Sequence, residues 1–306
     1  MENKLYVGRL GTGKTNKNKE EILNKINNNE SMIILDTKDE YSNMFDNSNY
    51  EVIKFSLNDF ENSISYNPIY RIECLYNDGN IDDAIELVEY IGNIIFKTVD
   101  AVDPFWDNSA KNLFISIVLY LLENKKHLNM KEILAVSLNE MDDFIKYVND
   151  QDILKTISIL GTPIIKAPTE TRGGILSVFN QKMGLFAYRP NLLELICTNN
   201  KIEYKDKNQV IIFSNKDMKC FPNTILEIVM LDIIKDILDQ KIKYNFIFDN
   251  FDTIMNSYLY LDIINVCNNY NVSTIVGVRD INLINNKDVF DIINMWGNYE
   301  NNLCNW

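Results

Sequence analysis

A glycine-rich segment near the start of the chain carries the residue types that bind phosphate. It fits the pattern G-x-x-x-x-G-K-[ST] and lies between an apolar run and a helical pattern, which is the context this motif requires. Its glycines let the backbone turn N–H groups inward, Lys14 would reach the β- and γ-phosphates, and the Thr15 hydroxyl would hold Mg²⁺. The segment therefore predicts a nucleotide site formed by Gly8, Gly11, Thr12, Gly13, Lys14 and Thr15.

An aspartate at the end of an apolar run late in the chain is the second candidate. Residues 244–249 read YNFIFD, and the carboxyl ends of parallel strands form the edge at which ligands bind. On its own, Asp249 would be interpreted as a residue that caps a turn. Together with the glycine-rich segment, it predicts a carboxylate that binds the water shell of Mg²⁺.

Two other classes of nucleotide-binding protein fit less well. A guanine site has the pattern N-K-x-D, but here Asn215 and Lys216 are followed by Asp217 one position too early. Small-molecule kinases carry a basic lid, whereas the five arginines of this chain do not cluster. We therefore interpret residues 215–217 as a polar loop.

Strands and helices alternate at both ends of the chain and would position these residues. Short apolar runs predict strands at Lys4–Val7, Met32–Asp36, Glu51–Phe55, Gln209–Phe213, Asn245–Asp249 and Ser273–Val278. Helical spacing predicts helices at Lys14–Ile26, Thr224–Leu238, Tyr258–Cys267 and Asp288–Met295. The alternation predicts an α/β fold with a doubly wound, mainly parallel sheet, and no strand is expected after residue 278.

The middle of the chain shows a helical pattern alone. Apolar residues recur at helical spacing in four stretches, Ile81–Lys97, Trp106–Asn124, Met130–Asn149 and Glu170–Phe186. We expect residues 79–199 to form an all-α subdomain inserted into a nucleotide-binding domain of residues 1–78 and 200–306.

The composition excludes several functional classes. The 306 residues carry a net charge of −13, so no global field attracts the chain to DNA. One histidine and five scattered cysteines argue against a histidine-based metal site, Ser-His-Asp chemistry and a disulfide framework. The longest apolar stretch, Leu113–Leu122, is too short to span a membrane, and the N-terminus has no secretory signal. The expected location is therefore the cytoplasm.

Several further segments occur in the order found in one protein family. After the second strand the chain reads DTKDEY from Asp36, then YNP from Tyr66, DPFWDNSA from Asp103 and ETRGGILS from Glu170. With the glycine-rich segment and Asp249, this series resembles the coupling-protein ATPases of conjugative type IV secretion systems, relatives of the FtsK-like DNA translocases. The resemblance covers about residues 5–296.

The resemblance implies a RecA-like P-loop NTPase fold with an inserted all-α domain, and it implies ATP and Mg²⁺ as cofactors. It also implies DNA, relaxase and secretion-channel proteins as partners. The family forms hexamers and is membrane-anchored, whereas the glycine-rich segment here begins at residue 8. We therefore expect either a homo-hexamer or association with a membrane-anchored partner, with recruitment to the inner face of the cell membrane.

The chain departs from the family at two positions near the reacting phosphate. Asn250 takes the place of a glutamate that polarises the attacking water, and Arg279 takes the place of a sensing glutamine. Because an amide is a very poor base, the resemblance predicts ATP binding with weak or lost hydrolysis. Glu40 or Asp36 could supply the missing carboxylate.

Three hypotheses about function therefore stay open. The first is an ATP-binding, coupling-protein-like component of conjugative DNA transfer with weak hydrolysis. The second is an active DNA-translocating ATPase that uses Glu40 or Asp36 as its base, and the third is a non-catalytic module that binds a secretion or conjugation partner. The absent glutamate favours the first and third, while the intact glycine-rich segment opposes a purely structural role.

Overall fold

Two compact units make up the chain. The computed structural model describes residues 3–9, 11–96, 103–149, 154–187, 189–198, 201–215, 224–251, 272–279 and 299–300. One unit consists of Met1–Ile64 with Lys201–Trp306, and the other of Ser65–Asn200. The first boundary therefore lies after residue 64, whereas the sequence predicts it after residue 78.

A single sheet lies at the centre of the first unit. Among the described residues its strands are β1 (Lys4–Val7), β2 (Met32–Asp36), β3 (Glu51–Ser56), β4 (Gln209–Ser214), β5 (Asn245–Phe248), β6 (Thr274–Val278) and β7 (Tyr299–Glu300). Their order is β3-β4-β2-β5-β6-β1-β7, and every pair in it is parallel. The predicted α/β fold with a mainly parallel sheet is confirmed.

The last strand was not expected. Tyr299–Glu300 pairs with Leu5 and Tyr6 of β1, so the expectation of no strand after residue 278 is wrong. A strand of two residues is too short to show a hydrophobic period, which is why the pattern did not reveal it.

The described part of the chain has ten α-helices, besides one 3₁₀ helix at Ser42–Phe45. They are α1 (Lys14–Asn27), α2 (Tyr70–Asn77), α3 (Ile81–Phe96), α4 (Pro104–Glu123), α5 (Met130–Asn139), α6 (Met141–Val148), α7 (Lys155–Ile165), α8 (Thr169–Ala187), α9 (Pro190–Leu195) and α10 (Thr224–Asp239). The first and last belong to the sheet unit, and α2 to α9 form the helical unit.

Burial on both faces explains the continuous apolar strands. Every residue of β2, β4 and β6 is buried, as expected for a parallel sheet that is covered on both sides. Ile22 of α1 belongs to one buried cluster with Ile34 of β2 and Ile247 of β5. This cluster fixes α1 against the sheet and so fixes the segment that precedes the helix.

The helical unit differs from the prediction in one helix that is divided and in three helices that were not predicted. The predicted helix Met130–Asn149 is two helices, because Glu140 leaves the helical region at φ −115° and ψ 16°. The helices α2, α7 and α9 were not predicted, and α2 packs against α3. That contact places residues 65–78 with the helical unit and accounts for the earlier boundary.

Two predicted helices, Tyr258–Cys267 and Asp288–Met295, lie outside the described residues. Within the described ranges, no helix combines the length and the apolar character that a membrane crossing requires.

Candidate nucleotide-binding site

The glycine-rich segment forms a loop between β1 and α1, as the motif requires. The Gly8 N–H donates to the Val278 carbonyl of β6 at 3.1 Å, which fixes the start of the loop to the sheet. Gly11 and Gly13 have φ of 84° and 92°, in the left-handed region that only glycine adopts without strain. A Cβ on either residue would meet no atom within 4 Å, so backbone conformation, and not crowding, requires glycine there.

The Lys14 ammonium group is held by the loop itself. Its Nζ donates to the Gly8 carbonyl and to the Arg9 carbonyl, the latter at 3.2 Å, and only 5% of the residue is exposed. The Thr12 hydroxyl donates to the same Arg9 carbonyl at 2.7 Å. The cation is therefore positioned at the loop by carbonyl oxygens, which are weaker partners for an ammonium than phosphate oxygens are.

A cavity of about 250 Å³ opens beside this loop. Three chain segments that follow β1, β2 and β5 meet there, because the carboxyl ends of parallel strands share one edge of the sheet. Its lining contains three cationic side chains and one carboxylate, which favours an anionic ligand. The lining residues are Arg9, Gly11, Thr12, Gly13, Lys14, Thr15, Asn16, Lys38, Glu40 and Asn250.

Asp249 is buried next to this lining and does not belong to it. The residue is 1% exposed, and its Oδ2 accepts a hydrogen bond of 2.9 Å from the Tyr41 hydroxyl. Among the described residues, Oδ1 has no hydrogen-bond partner. Burial raises the pKa of Asp249, while the Tyr41 hydrogen bond and the charges of Lys38 and Lys14 act in the opposite direction.

The space beside this free oxygen is kept open by a glycine. A Cβ placed on Gly277 of β6 would lie 3.3 Å from Asp249 Oδ1 and 3.7 Å from Asn18 Nδ2. A buried carboxylate oxygen with open space beside it suits a hard cation or its water shell. Asp249 and the half-buried Thr15 at the start of α1 therefore fit Mg²⁺.

Asp36 has a structural role in the turn after β2. Its Oδ1 accepts the N–H groups of Lys38 and Glu40 at 3.3 and 2.9 Å, and Oδ2 accepts that of Tyr41 at 2.9 Å. Burial raises the pKa of this carboxyl, and these three backbone hydrogen bonds lower it. Asp36 thus shapes the turn that carries Lys38 and Glu40, and its oxygens are already engaged by the backbone.

Glu40 and Asn250 both line the cavity, and their assigned roles, Asn250 at the base position and Glu40 as a substitute base, stay predictions. In the described part of the chain, the Glu40 Oε2 is buried and has no hydrogen-bond partner. Asn250 is 3% exposed, has φ of 49°, and donates from Nδ2 to the Thr37 hydroxyl at 3.3 Å. Arg279 is half-buried directly after β6 and is not part of the cavity lining.

Comparison with known proteins identifies the family. The sequence model of the type IV secretion-system coupling protein DNA-binding domain matches residues 2–287, which is nearly the whole chain. The chain belongs to this family. The resemblance that the motifs predict is confirmed, and the chain is a coupling-protein-like member of conjugative type IV secretion systems. A search of curated proteins finds no match.

Solved structures of this class share the fold at low sequence identity. The conjugative coupling protein TrwBΔN70 with sulphate is 11% identical and superposes with a TM-score of 0.65, over 96% of this chain and 67% of that one. TrwB with ADP and Mg²⁺ is 13% identical with a TM-score of 0.66, over 96% and 68%. VirB4 of Thermoanaerobacter pseudethanolicus is 12% identical with a TM-score of 0.60, over 95% and 73%. This coupling-protein-like chain therefore spans about two thirds of the TrwB structures.

Two residues of the site were missed by the sequence analysis. Asn18 lies one helical turn after Lys14, and Tyr41 follows Glu40 directly; both are fully buried. Asn18 Nδ2 donates to the Tyr41 hydroxyl at 3.2 Å, and that hydroxyl in turn contacts Asp249. The available signal was an asparagine on the buried face of an amphipathic helix, since buried amides need polar partners.

Proposed function

We propose that this coupling-protein family member binds ATP with Mg²⁺ in the cavity beside the glycine-rich loop. The observation that carries the proposal is the meeting of that loop with Lys38, Glu40 and Asn250 around one cavity of about 250 Å³. The phosphates would lie against the loop N–H groups and the positive end of α1. Lys14 would exchange its carbonyl partners for phosphate oxygens.

Thr15 and Asp249 are the residues that we assign to Mg²⁺. The metal would neutralise charge on the β- and γ-phosphates when bound. The unpartnered Oδ1 of Asp249 and the glycine that leaves space beside it support this assignment. TrwB, which shares this fold, has been solved in complex with ADP and Mg²⁺, and this supports the choice of ligand.

We expect hydrolysis to be slow, because Asn250 stands at the cavity where the family has a glutamate. A neutral amide can orient a water molecule but cannot take its proton. General-base assistance is worth about 10²–10⁴-fold in rate. Loss of this assistance would leave a protein that binds ATP and turns it over slowly.

An active ATPase is the second candidate, and Glu40 is the observation that favours it. Its carboxylate lines the same cavity, and Oε2 has no partner among the described residues. It therefore has the reach and the free acceptor that a general base needs. Asp36, the other acid considered, has both oxygens engaged by backbone N–H groups.

The biological setting that we propose is conjugative DNA transfer through a type IV secretion system. The family description names a DNA-binding domain, so DNA is the first partner to test, followed by relaxase and secretion-channel proteins. We further propose assembly as a hexamer, or association with a membrane-anchored partner at the inner face of the membrane. Nucleotide binding would then regulate or drive the handling of DNA.

Replacement of Lys14 tests the nucleotide site. Lys14→Ala removes the cation that neutralises the phosphates, and we expect Mg·ATP affinity to fall at least about 10-fold in calorimetric titration, as for loss of a charge-assisted contact of 1.5–3 kcal/mol. Lys17→Ala is the matched control, since Lys17 carries the same charge on the same helix, outside the cavity lining. Unchanged affinity in Lys14→Ala would remove the proposed site.

A further inference from the structure

A hydrogen-bonded chain of three buried side chains connects the loop helix to the aspartate assigned to Mg²⁺. Asn18 of α1 donates to the Tyr41 hydroxyl at 3.2 Å, and that hydroxyl donates to Asp249 Oδ2 at 2.9 Å. Asn18 and Tyr41 are 0% exposed and Asp249 is 1% exposed. The chain thus joins α1, the turn after β2 and the residue that follows β5.

The direction of these hydrogen bonds follows from the chemistry of the groups. An ionised carboxylate only accepts, so the Tyr41 proton must point to Asp249 Oδ2. The oxygen of that hydroxyl is then free to accept, and the amide nitrogen of Asn18 supplies the donor. With the amide in this orientation, Asn18 holds the hydroxyl in the rotamer that serves Asp249.

The contact leaves one carboxylate oxygen constrained and the other available. Oδ2 is occupied by Tyr41, while Oδ1 has no partner among the described residues and faces the space left by Gly277. A carboxylate that lacked the Tyr41 contact could rotate and would present either oxygen. The hydroxyl therefore selects the orientation in which Oδ1 is the available ligand atom.

We propose that Tyr41 and Asn18 are positioning residues that orient Asp249 for Mg²⁺ and connect this orientation to the helix that carries Lys14. The inference rests on the proposed nucleotide function and deepens it, since it concerns how the metal part of that site is held. Outer contacts of this kind fix the geometry of ligand groups, and their loss typically costs about 10–100-fold in metal affinity. Neither residue contacts the ligand itself, so the predicted effect is on the metal dependence of binding.

The test measures ADP binding by calorimetry over a range of Mg²⁺ concentrations. Tyr41→Phe removes the hydroxyl and keeps the buried ring. We expect the Mg²⁺ concentration that gives half of the maximal increase in ADP affinity to rise about 10-fold. The ADP affinity in EDTA should stay unchanged within about twofold. Asn18→Ala removes the amide that donates to the hydroxyl but keeps the hydroxyl itself, and it is expected to give a smaller rise in the same direction.

Tyr50→Phe is the matched control. The Tyr50 hydroxyl contacts the backbone carbonyls of Glu30 at 2.9 Å and Lys25 at 3.3 Å, and neither carbonyl belongs to the cavity lining. This variant should leave both the Mg²⁺ dependence and the affinity in EDTA unchanged. Thermal unfolding of all three variants without nucleotide establishes that each is folded at the temperature of the titration.

The outcomes separate this inference from the proposed function. If the native protein binds Mg·ADP and Tyr41→Phe shows the native Mg²⁺ dependence, the positioning role is overturned and the nucleotide site stands. An equal loss of affinity with Mg²⁺ and in EDTA would also overturn it, since that result indicates a general structural role. Absence of ADP binding by the native protein would overturn the proposed function and this inference with it.

Discussion

The substitution of Asn250 by glutamate and by glutamine tests the expectation of slow hydrolysis. Asn250→Glu restores the carboxylate that the family has at this position, and Asn250→Gln adds the same side-chain length without the charge. We expect the glutamate variant to turn ATP over about 10²-fold faster than the native protein, at the lower end of the range for general-base assistance. The glutamine variant should stay at the native rate.

The structure also indicates how much these substitutions lower the free energy of unfolding. Asn250 has φ of 49°, and asparagine tolerates this left-handed region better than glutamate or glutamine does, so each substitution costs about 1 kcal/mol in backbone energy. Loss of the hydrogen bond from Nδ2 to Thr37 adds about 1 kcal/mol. The sum, about 2 kcal/mol, is less than the 5–15 kcal/mol that stabilises a typical domain. Both variants should therefore fold.

The assay is steady-state phosphate release, with and without DNA, at saturating Mg·ATP. Because both variants carry the same backbone penalty, the ratio of their rates isolates the effect of the carboxylate. Brisk turnover by the native protein that disappears in Lys14→Ala would refute the reasoning about Asn250. Glu40→Gln would then be the next measurement, and loss of that turnover would assign the base to Glu40.

Two further predictions concern the helical unit and DNA. A Cβ on Gly174 of α8 would lie 2.5 Å from the Trp106 ring, so Gly174→Ala should lower the free energy of unfolding by about 1–3 kcal/mol in urea titration. Gly173→Ala, where no atom lies within 4 Å, should instead raise it by up to about 1 kcal/mol, and effects of the same sign would contradict this packing. With a net charge of −13, the chain at concentrations where it is monomeric should bind labelled DNA weakly at physiological salt. Tight, salt-resistant binding in fluorescence anisotropy would reveal a basic face that the net charge conceals.

The loop was predictable because its determinants are local in sequence. The phosphate-binding residues lie within eight consecutive positions, and Gly13, one of the two glycines that define the motif, has a positive φ. Asp249 was predictable for a different reason: parallel strands bring their carboxyl ends to one edge, so a strand-end acid reaches the loop whatever its distance in sequence. Glu40 follows from the same rule, since it lies in the turn that follows β2.

The contacts that hold Asp249 were not predictable in this way. They depend on the packing of Tyr41 against the sheet and on which face of α1 carries Asn18, and no motif records such a pairing. The break at Glu140 was missed for a related reason. Apolar residues continue at helical spacing on both sides of it, so the period alone suggests one helix where the backbone forms two.

The strands that precede the cavity residues in sequence are not the strands between which the helical unit is inserted. The cavity residues follow β1, β2 and β5, whereas the insertion lies between β3 and β4, which are neighbours in the sheet. A parallel pair needs a long crossover connection, and here that connection contains the whole helical unit. The Glu51 N–H donates to the Asn208 carbonyl at 2.8 Å, so the start of β3 is joined to the residue before β4 within the sheet unit itself.

This division has a consequence for how substitutions act. The register of β3 and β4 is fixed by their own ladder, from Glu51 opposite Gln209 to Ser56 opposite Ser214, and it does not require any particular structure in the insertion. A change inside the helical unit should therefore alter the stability of that unit without altering the cavity. Gly174→Ala tests this expectation. It should destabilise the helical unit and leave the Mg·ATP affinity at the native value. A parallel loss of affinity in a folded sample would mean that the two units are coupled more closely than the strand order implies.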